Sequence, residues 1–179
     1  MQKAVFLDRD GTLNVDYDFV HSREGWEWLP HVIPGLARLK AAGYALVVVS
    51  NQSGIARGMF DAATVDALHG WVNTQLVPQG AAIDAFYYCP HLPSITGPCA
   101  CRKPAPGLLL RAAREMDIDL PHSWMVGDRA RDAQAGLAAG CRAMVVGGRE
   151  TENLPDGAVS CPDFAAACAH ILETGCRDV

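Results

Sequence analysis

Short apolar runs alternate along the chain with longer segments in which apolar residues recur every three or four positions. Lys3–Asp8 reads as a first buried strand. Ile33–Gly43 reads as a helix, with Pro34 suited to its first turn and Gly43 to its end. Ala45–Ser50 is continuous and β-branched, the pattern of a strand buried on both faces. Asp61–Val77 sets Val65, Leu68, Val72 and Leu76 on one helical stripe. A third strand is expected at Ile83–Tyr88 and a helix at Gly107–Met116, its entrance held extended by Pro104 and Pro106. A fourth strand at Trp124–Gly127, a helix at Asp132–Gly140, a fifth strand at Ala143–Val146 and a closing helix over Pro162–Thr174 complete the pattern. Strict alternation of this kind predicts an α/β fold, a doubly wound parallel sheet with helices on both faces. No repeat or linker interrupts it, so residues 1–179 are expected to form one domain.

Composition narrows the function classes. Against 15 Lys+Arg stand 20 Asp+Glu, a net charge of −5. That balance argues against nucleic-acid binding, which needs a basic face. No apolar run is long enough for a membrane span, and Met1-Gln2-Lys3 leads directly into the first strand. A cytoplasmic protein is expected, its seven cysteines being thiols or metal ligands. A monomer is the default, since no apolar stripe is left over beyond the helices assigned to the sheet.

In open α/β sheets ligands bind outside the carboxyl ends of the strands. Asp8 and Asp10, Ser50 and Asn51, and Asp128 all fall at such ends. Topology alone should gather them. Two carboxylates ~4 Å apart repel by ~4 kcal/mol at an effective dielectric of about 20. Three of them call for a hard divalent cation with oxygen ligands, which points to Mg²⁺. Cys89, His91, Cys99 and Cys101 have the number and type of ligands for a structural zinc site in a loop at 89–101. Unrelated loop thiols or a disulfide fit the same spacing. Leu92–Pro98 between them is rich in Pro, Gly, Ser and Thr and would gain its order from a metal.

The succession Asp8-Arg-Asp10-Gly-Thr12, Ser50-Asn51, Lys103-Pro104 and Gly127-Asp128 resembles the four motifs of the haloacid dehalogenase-like phosphatases. The resemblance implies a Rossmann-like core in which Asp8 is the nucleophile and forms an aspartyl-phosphate. It implies that Asp10 is the acid and then the base, with Ser50 and Lys103 holding the phosphoryl oxygens. Mg²⁺ would be held by Asp8, the Asp10 carbonyl and Asp128. Asp132 reads either as a residue behind that site or as an acid meeting its helix dipole. Neither Asp10–Ser50 nor Ser50–Lys103 has room for a separate cap domain, so loops must select the substrate.

Longer stretches, Leu7–Asp16, Ser50–Gly58, Tyr87–His91, Cys101–Pro104 and Met125–Asp128, resemble the D-glycero-D-manno-heptose 1,7-bisphosphate 7-phosphatases. That resemblance implies removal of the 7-phosphate of a small sugar bisphosphate, in the synthesis of ADP-heptose for lipopolysaccharide. It implies that Asp16, Tyr17, Asp18, Phe19, Ser50, Asn51, Gln52 and Ser53 line the substrate, with Arg102, Lys103 and Arg129 on its charged groups. Arg129 departs from the lysine common in the family, and Leu92–Pro98 is short for it. Histidinol-phosphate phosphatases share the catalytic pattern and the Cys-x-His…Cys-x-Cys loop. A zinc-containing binding module on an inactive phosphatase fold is a rival from another class, disfavoured because Asp8, Asp10, Ser50, Lys103 and Asp128 are all present. A polynucleotide phosphatase is disfavoured by the acidic balance.

Overall fold

The computed structural model describes residues 1–147 and 154–175. Its strands are β1 (Ala4–Leu7), β2 (Ala45–Asn51), β3 (Ala85–Cys89), β4 (Trp124–Gly127), β5 (Arg142–Val146) and β6 (Ala158–Cys161). They form one sheet in the order β3-β2-β1-β4-β5-β6, and every pairing is parallel. The helices are α1 (Val32–Ala41), α2 (Ala62–Leu76), α3 (Pro93–Thr96), α4 (Gly107–Met116), α5 (Ala130–Ala139) and α6 (Phe164–Gly175).

Alternation along β1 divides the core in two. Val5 and Leu7 join Leu46, Val48 and the apolar faces of α1, α2 and α6. Ala4 and Phe6 join Val47, Val49 and side chains of α4 and α5. Successive strand side chains point to opposite faces, so a sheet covered on both sides needs apolar residues at consecutive positions. That is the pattern read at Ala45–Ser50.

Three expectations shift. A sixth strand, β6, pairs Ala158–Cys161 with Ala143–Val146 at the sheet edge. It is short and only Cys161 is buried, so it carries too little apolar pattern to be seen. β3 begins at Ala85 because Asp84 Oδ2 accepts the Leu46 N–H (2.8 Å) that the Ala82 carbonyl would take in a longer ladder, and Ile83 turns into the core. α5 starts at Ala130, two residues earlier than expected, with Arg129 as its N-cap. The closing helix runs over Phe164–Gly175. Cys141, Cys161 and Cys168 are buried free thiols, while Cys176 lies outside the described residues.

The register sets the site. Leu7 aligns with Val48 on one side and Val126 on the other, so Asp8 and Asp128 leave the sheet at one rim. Beneath it, on α2, His69 is buried and stacks on Phe86 with ring centroids 4.4 Å apart. Neither ring nitrogen has a hydrogen-bond partner among the described residues. Burial first, and then the Arg9 guanidinium, hold this imidazole down to about 3. The unfolded chain binds the proton from about 6.5 downward, and the fold refuses it until about 3. Stability from this group is therefore complete above pH 6.5 and declines as the pH falls, by about 2 kcal/mol at pH 5. His69→Phe should flatten this decline. Urea midpoints measured at pH 7.5 and pH 5 are expected to lie closer together in the variant than in the parent.

Candidate active site

Asp8 follows β1, and its backbone N–H still bonds Val126 O (2.9 Å), which fixes it as the ladder's last member. Its Oδ1 accepts from the Arg9 amide (2.8 Å) and pairs with Lys103 Nζ (2.8 Å). Lys103 is fully buried, and its ammonium also lies 2.8 Å from Asp132 Oδ1 and donates to Val49 O at 2.8 Å. Three separate segments thus meet on one cation. Burial alone would push that lysine down. Asp132 and Asp8 outweigh it and leave Lys103 above its ordinary range.

The carboxylates outnumber this cation. Asp8, Asp128 and Asp132 are all buried, and ligand oxygens from the three lie within 4.8 Å of one another. Burial first, and then Asp132, push the Asp8 carboxyl up to about 7, against the opposing pull of Lys103. Asp128 rises for the same two reasons, opposed by Arg129 and Arg131. Asp128 Oδ1 is buried with no hydrogen-bond partner among the described residues. Two glycines permit this crowding. A Cβ on Gly11, whose φ is 82°, would stand 2.4 Å from Asp128 Oδ2. One on Gly127 would stand 2.3 Å from Asp132 Cβ. An orphaned buried oxygen beside excess carboxylates is the environment a hard divalent cation requires.

Asp10 leaves the same rim on the cavity side. Arg9 Nε and Nη2 donate to its Oδ2 (3.1 Å) and Oδ1 (3.0 Å), Asn14 Nδ2 to Oδ1 (3.0 Å) and Gln52 Nε2 to Oδ2 (3.0 Å). Gln52 Nε2 also donates to Ser50 Oγ (2.7 Å), tying the end of β2 to the turn after β1. Asn51 clasps the Lys103 backbone in both directions, each bond 3.1 Å.

Above these groups opens a cavity of about 220 Å³. Asp8, Asp10 and Ser50 line it together with Asn51, Gln52, Ser53, Asp16, Asp18, Phe19, Arg102 and Arg131. Asp18 and Phe19 adopt left-handed backbone (φ 57° and 53°), and the Arg57 guanidinium stacks over the Phe19 ring at 5.4 Å. Three residues expected at the substrate do not line this cavity; Lys103 is buried against Asp8, Asp132 and Val49 O. Tyr17 is exposed and bonds Glu27. Arg129 turns its Nε to Asp128 Oδ2 (3.0 Å) and its guanidinium toward Asp16 (3.9 Å). Arg131, two residues on, lines the cavity instead; no motif marked it. Asp132 combines both of its sequence readings, since it pairs with Lys103 and also accepts from Arg129 N (3.1 Å) at the start of α5.

Cys89, His91, Cys99 and Cys101 converge at the end of β3, their ligand atoms within 4.8 Å of one another. Sulfur separations are 3.1 Å (Cys89–Cys101), 3.5 Å (Cys99–Cys101) and 3.7 Å (Cys89–Cys99), too long for a disulfide. They approach the ~3.8 Å edge of a tetrahedron with bonds of about 2.3 Å, so the quartet can hold a metal ion. Burial, then the bond with Cys101, raises the Cys89 thiol, while at Cys99 burial is outweighed by hydrogen bonds, that with Cys101 first, which lower it to about 7. Arg102 Nη1 donates to His91 O (3.1 Å), so the arginine at the cavity wall is anchored to this quartet.

The fold is that of the haloacid dehalogenase-like hydrolases, and the HAD-hydrolase-like family matches residues 100–168. The D-glycero-β-D-manno-heptose-1,7-bisphosphate 7-phosphatase of Bordetella bronchiseptica is 43% identical over 178 residues, 96% of this chain and 98% of that one. The enzyme of that name in Escherichia coli is 44% identical over 164 residues, 86% of each. A crystal structure of D,D-heptose 1,7-bisphosphate phosphatase from B. bronchiseptica, complexed with magnesium and phosphate, gives a TM-score of 0.89 at 42% identity and covers 96% of this chain and 99% of that one. The chain belongs to the D-glycero-β-D-manno-heptose-1,7-bisphosphate 7-phosphatase family and is a phosphoric monoester hydrolase.

Lys103→Met tests the buried cation. It leaves Asp8 and Asp132 uncompensated and should cost about 3–5 kcal/mol of stability at pH 8 in urea unfolding. The loss should shrink toward pH 5, because Asp8, already raised, takes up a proton there.

Proposed function

We propose that this chain removes the 7-phosphate from D-glycero-D-manno-heptose 1,7-bisphosphate through an aspartyl-phosphate on Asp8, with Mg²⁺ as cofactor. The observation that carries the reading is the single rim where Asp8, Asp10 and Ser50 line one cavity above buried Lys103. Asp8 Oδ1 is occupied by Lys103 and the Arg9 amide, so Oδ2 is the oxygen that attacks phosphorus. The bond from phosphorus to the sugar oxygen breaks, and Asp10 gives its proton to the departing alkoxide. Asp10 then takes a proton from water, which attacks the same phosphorus, and the bond to Asp8 breaks to release phosphate. Ser50 Oγ, on the cavity wall, would hold a phosphoryl oxygen, while Lys103 Nζ, whose three donors go to Asp8, Asp132 and Val49 O, would offset its charge from beneath. Asp8, the Asp10 carbonyl and Asp128 would hold Mg²⁺, which when bound neutralises charge building on the phosphoryl group. The orphaned Asp128 Oδ1 fits that role.

Specificity in this reading comes from loops. Asp16, Asp18 and Phe19 face the sugar, with Tyr17 at the outer edge. Asn51, Gln52 and Ser53 form the opposite wall. Arg102 and Arg131 meet the phosphate that is retained, and Arg129 joins them beside Asp16. Zinc in the Cys89, His91, Cys99 and Cys101 quartet stiffens the loop that presents Arg102. The chain acts as a single-domain monomer, and the reaction belongs to the cytoplasmic synthesis of ADP-heptose for lipopolysaccharide.

Phosphate release tests the substrate. With Mg²⁺, kcat/KM on heptose 1,7-bisphosphate should exceed that on histidinol phosphate by at least ~10²-fold, about 3 kcal/mol of selective binding. Asp8→Asn should abolish release from both. Residual activity in that variant would remove Asp8 as nucleophile, and an inactive parent would leave a binding module. Metal analysis should find one zinc per chain. Its removal should raise KM for the bisphosphate through the loosened Arg102, while Mg²⁺ binding followed by calorimetry persists.

A further inference from the structure

Arg9 stands between the two motif aspartates, and its side chain has no solvent exposure. Arginine is almost never buried so completely unless paired. A buried pair is also weak evidence for stability, since apolar side chains of similar volume often serve the fold as well or better. The pairing must therefore be read for what it orients. Nε and Nη2 engage the two Asp10 oxygens in a planar fork (3.1 and 3.0 Å). Nη2 also donates to Val20 O, and the guanidinium sits 5.9 Å from the Trp26 ring centroid. Val20 and Trp26 are both buried and belong to the loop that carries Asp16, Asp18 and Phe19. The fork thus has a rigid backing on the substrate loop.

Asn14 and Gln52 complete the cage around Asp10. Each oxygen receives one donor from Arg9 and one from an amide, so the carboxylate plane cannot turn without breaking several bonds. A lysine would supply the charge but no fork.

We infer that Arg9 is a positioning residue for proton transfer: it fixes the plane of the Asp10 carboxyl against the leaving oxygen and couples that plane to the substrate loop. The inference rests on the reading of Asp10 as general acid.

Leaving-group dependence tests it. An alkyl phosphate such as the heptose bisphosphate needs a proton delivered to the departing oxygen, whereas 4-nitrophenyl phosphate expels a stable phenolate without one. Single-turnover formation of the phosphoenzyme, with Mg²⁺ present, isolates this step for both substrates. Asp10→Asn sets the reference and should slow the alkyl substrate roughly 10²-fold more than the aryl one. Arg9→Lys should show the same skew, about 10-fold or more on the alkyl substrate and less than about 3-fold on the aryl, with KM little changed. Asn14→Ala, which removes one donor and no charge, should show a smaller skew in the same direction. It carries the test if Arg9→Lys does not fold. Equal losses on both substrates in the Arg9 and Asn14 variants, with the Asp10→Asn skew intact, would overturn the inference alone. Equal losses in Asp10→Asn itself would overturn the reading of Asp10, and the inference with it.

Discussion

The buried ammonium of Lys103 is the interaction on which the rest of the site depends. It lies 2.8 Å from carboxylates of Asp8 and Asp132 and 2.8 Å from Val49 O. Those partners belong to the end of β1, the first turn of α5 and β2, and Lys103 itself precedes α4. One charge therefore joins both sides of the sheet's central rim. A buried cation is tolerable only among anions, and anions gathered this closely are tolerable only with a cation. Neither half could be assembled alone.

The balance is incomplete in the protein by itself. Asp128 is drawn into the same space with an oxygen that no group among the described residues satisfies, and both Asp8 and Asp128 are pushed toward neutrality. Stability alone would favour fewer carboxylates. The strain suits a site in which charge arrives with the ligand, since a preorganised environment need not rearrange when the reaction begins. Gly11 and Gly127 belong to this arrangement, because a side chain at either would occupy the space of an aspartate.

Around this centre the fold has loops where a cap could have stood, and each loop is tied to a residue of the cavity or its rim. The loop after β1 is fastened to Asp10 through Arg9 and Asn14. The turn after β2 reaches it through Gln52. The Cys/His quartet is fastened to the cavity wall by the bond from Arg102 to His91 O. Precision at an open site thus comes from bonds between loop and core.

Much was legible in the order of residues. Apolar runs at Lys3–Asp8, Ala45–Ser50 and Trp124–Gly127 announced buried parallel strands, and their carboxyl ends located Asp8, Ser50 and Asp128. The number and type of ligands at Cys89, His91, Cys99 and Cys101 suggested a quartet, and these four side chains converge. These features are local, or follow from topology, and periodicity carries both. Strand β6 escaped because an edge strand with one buried residue has almost no pattern. Partnerships escaped for a deeper reason. Nothing in the chain distinguishes Arg9 as the fork on Asp10, Asp132 as the counterion of Lys103, or Arg131 rather than Arg129 as the arginine of the cavity wall. Charged side chains are long, and which partner each one meets depends on distances across elements far apart in the chain. The sequence by itself determined which residue types reach the rim. Only the tertiary structure decided which of them touch, because close packing and burial select one pairing from the many that charge alone allows.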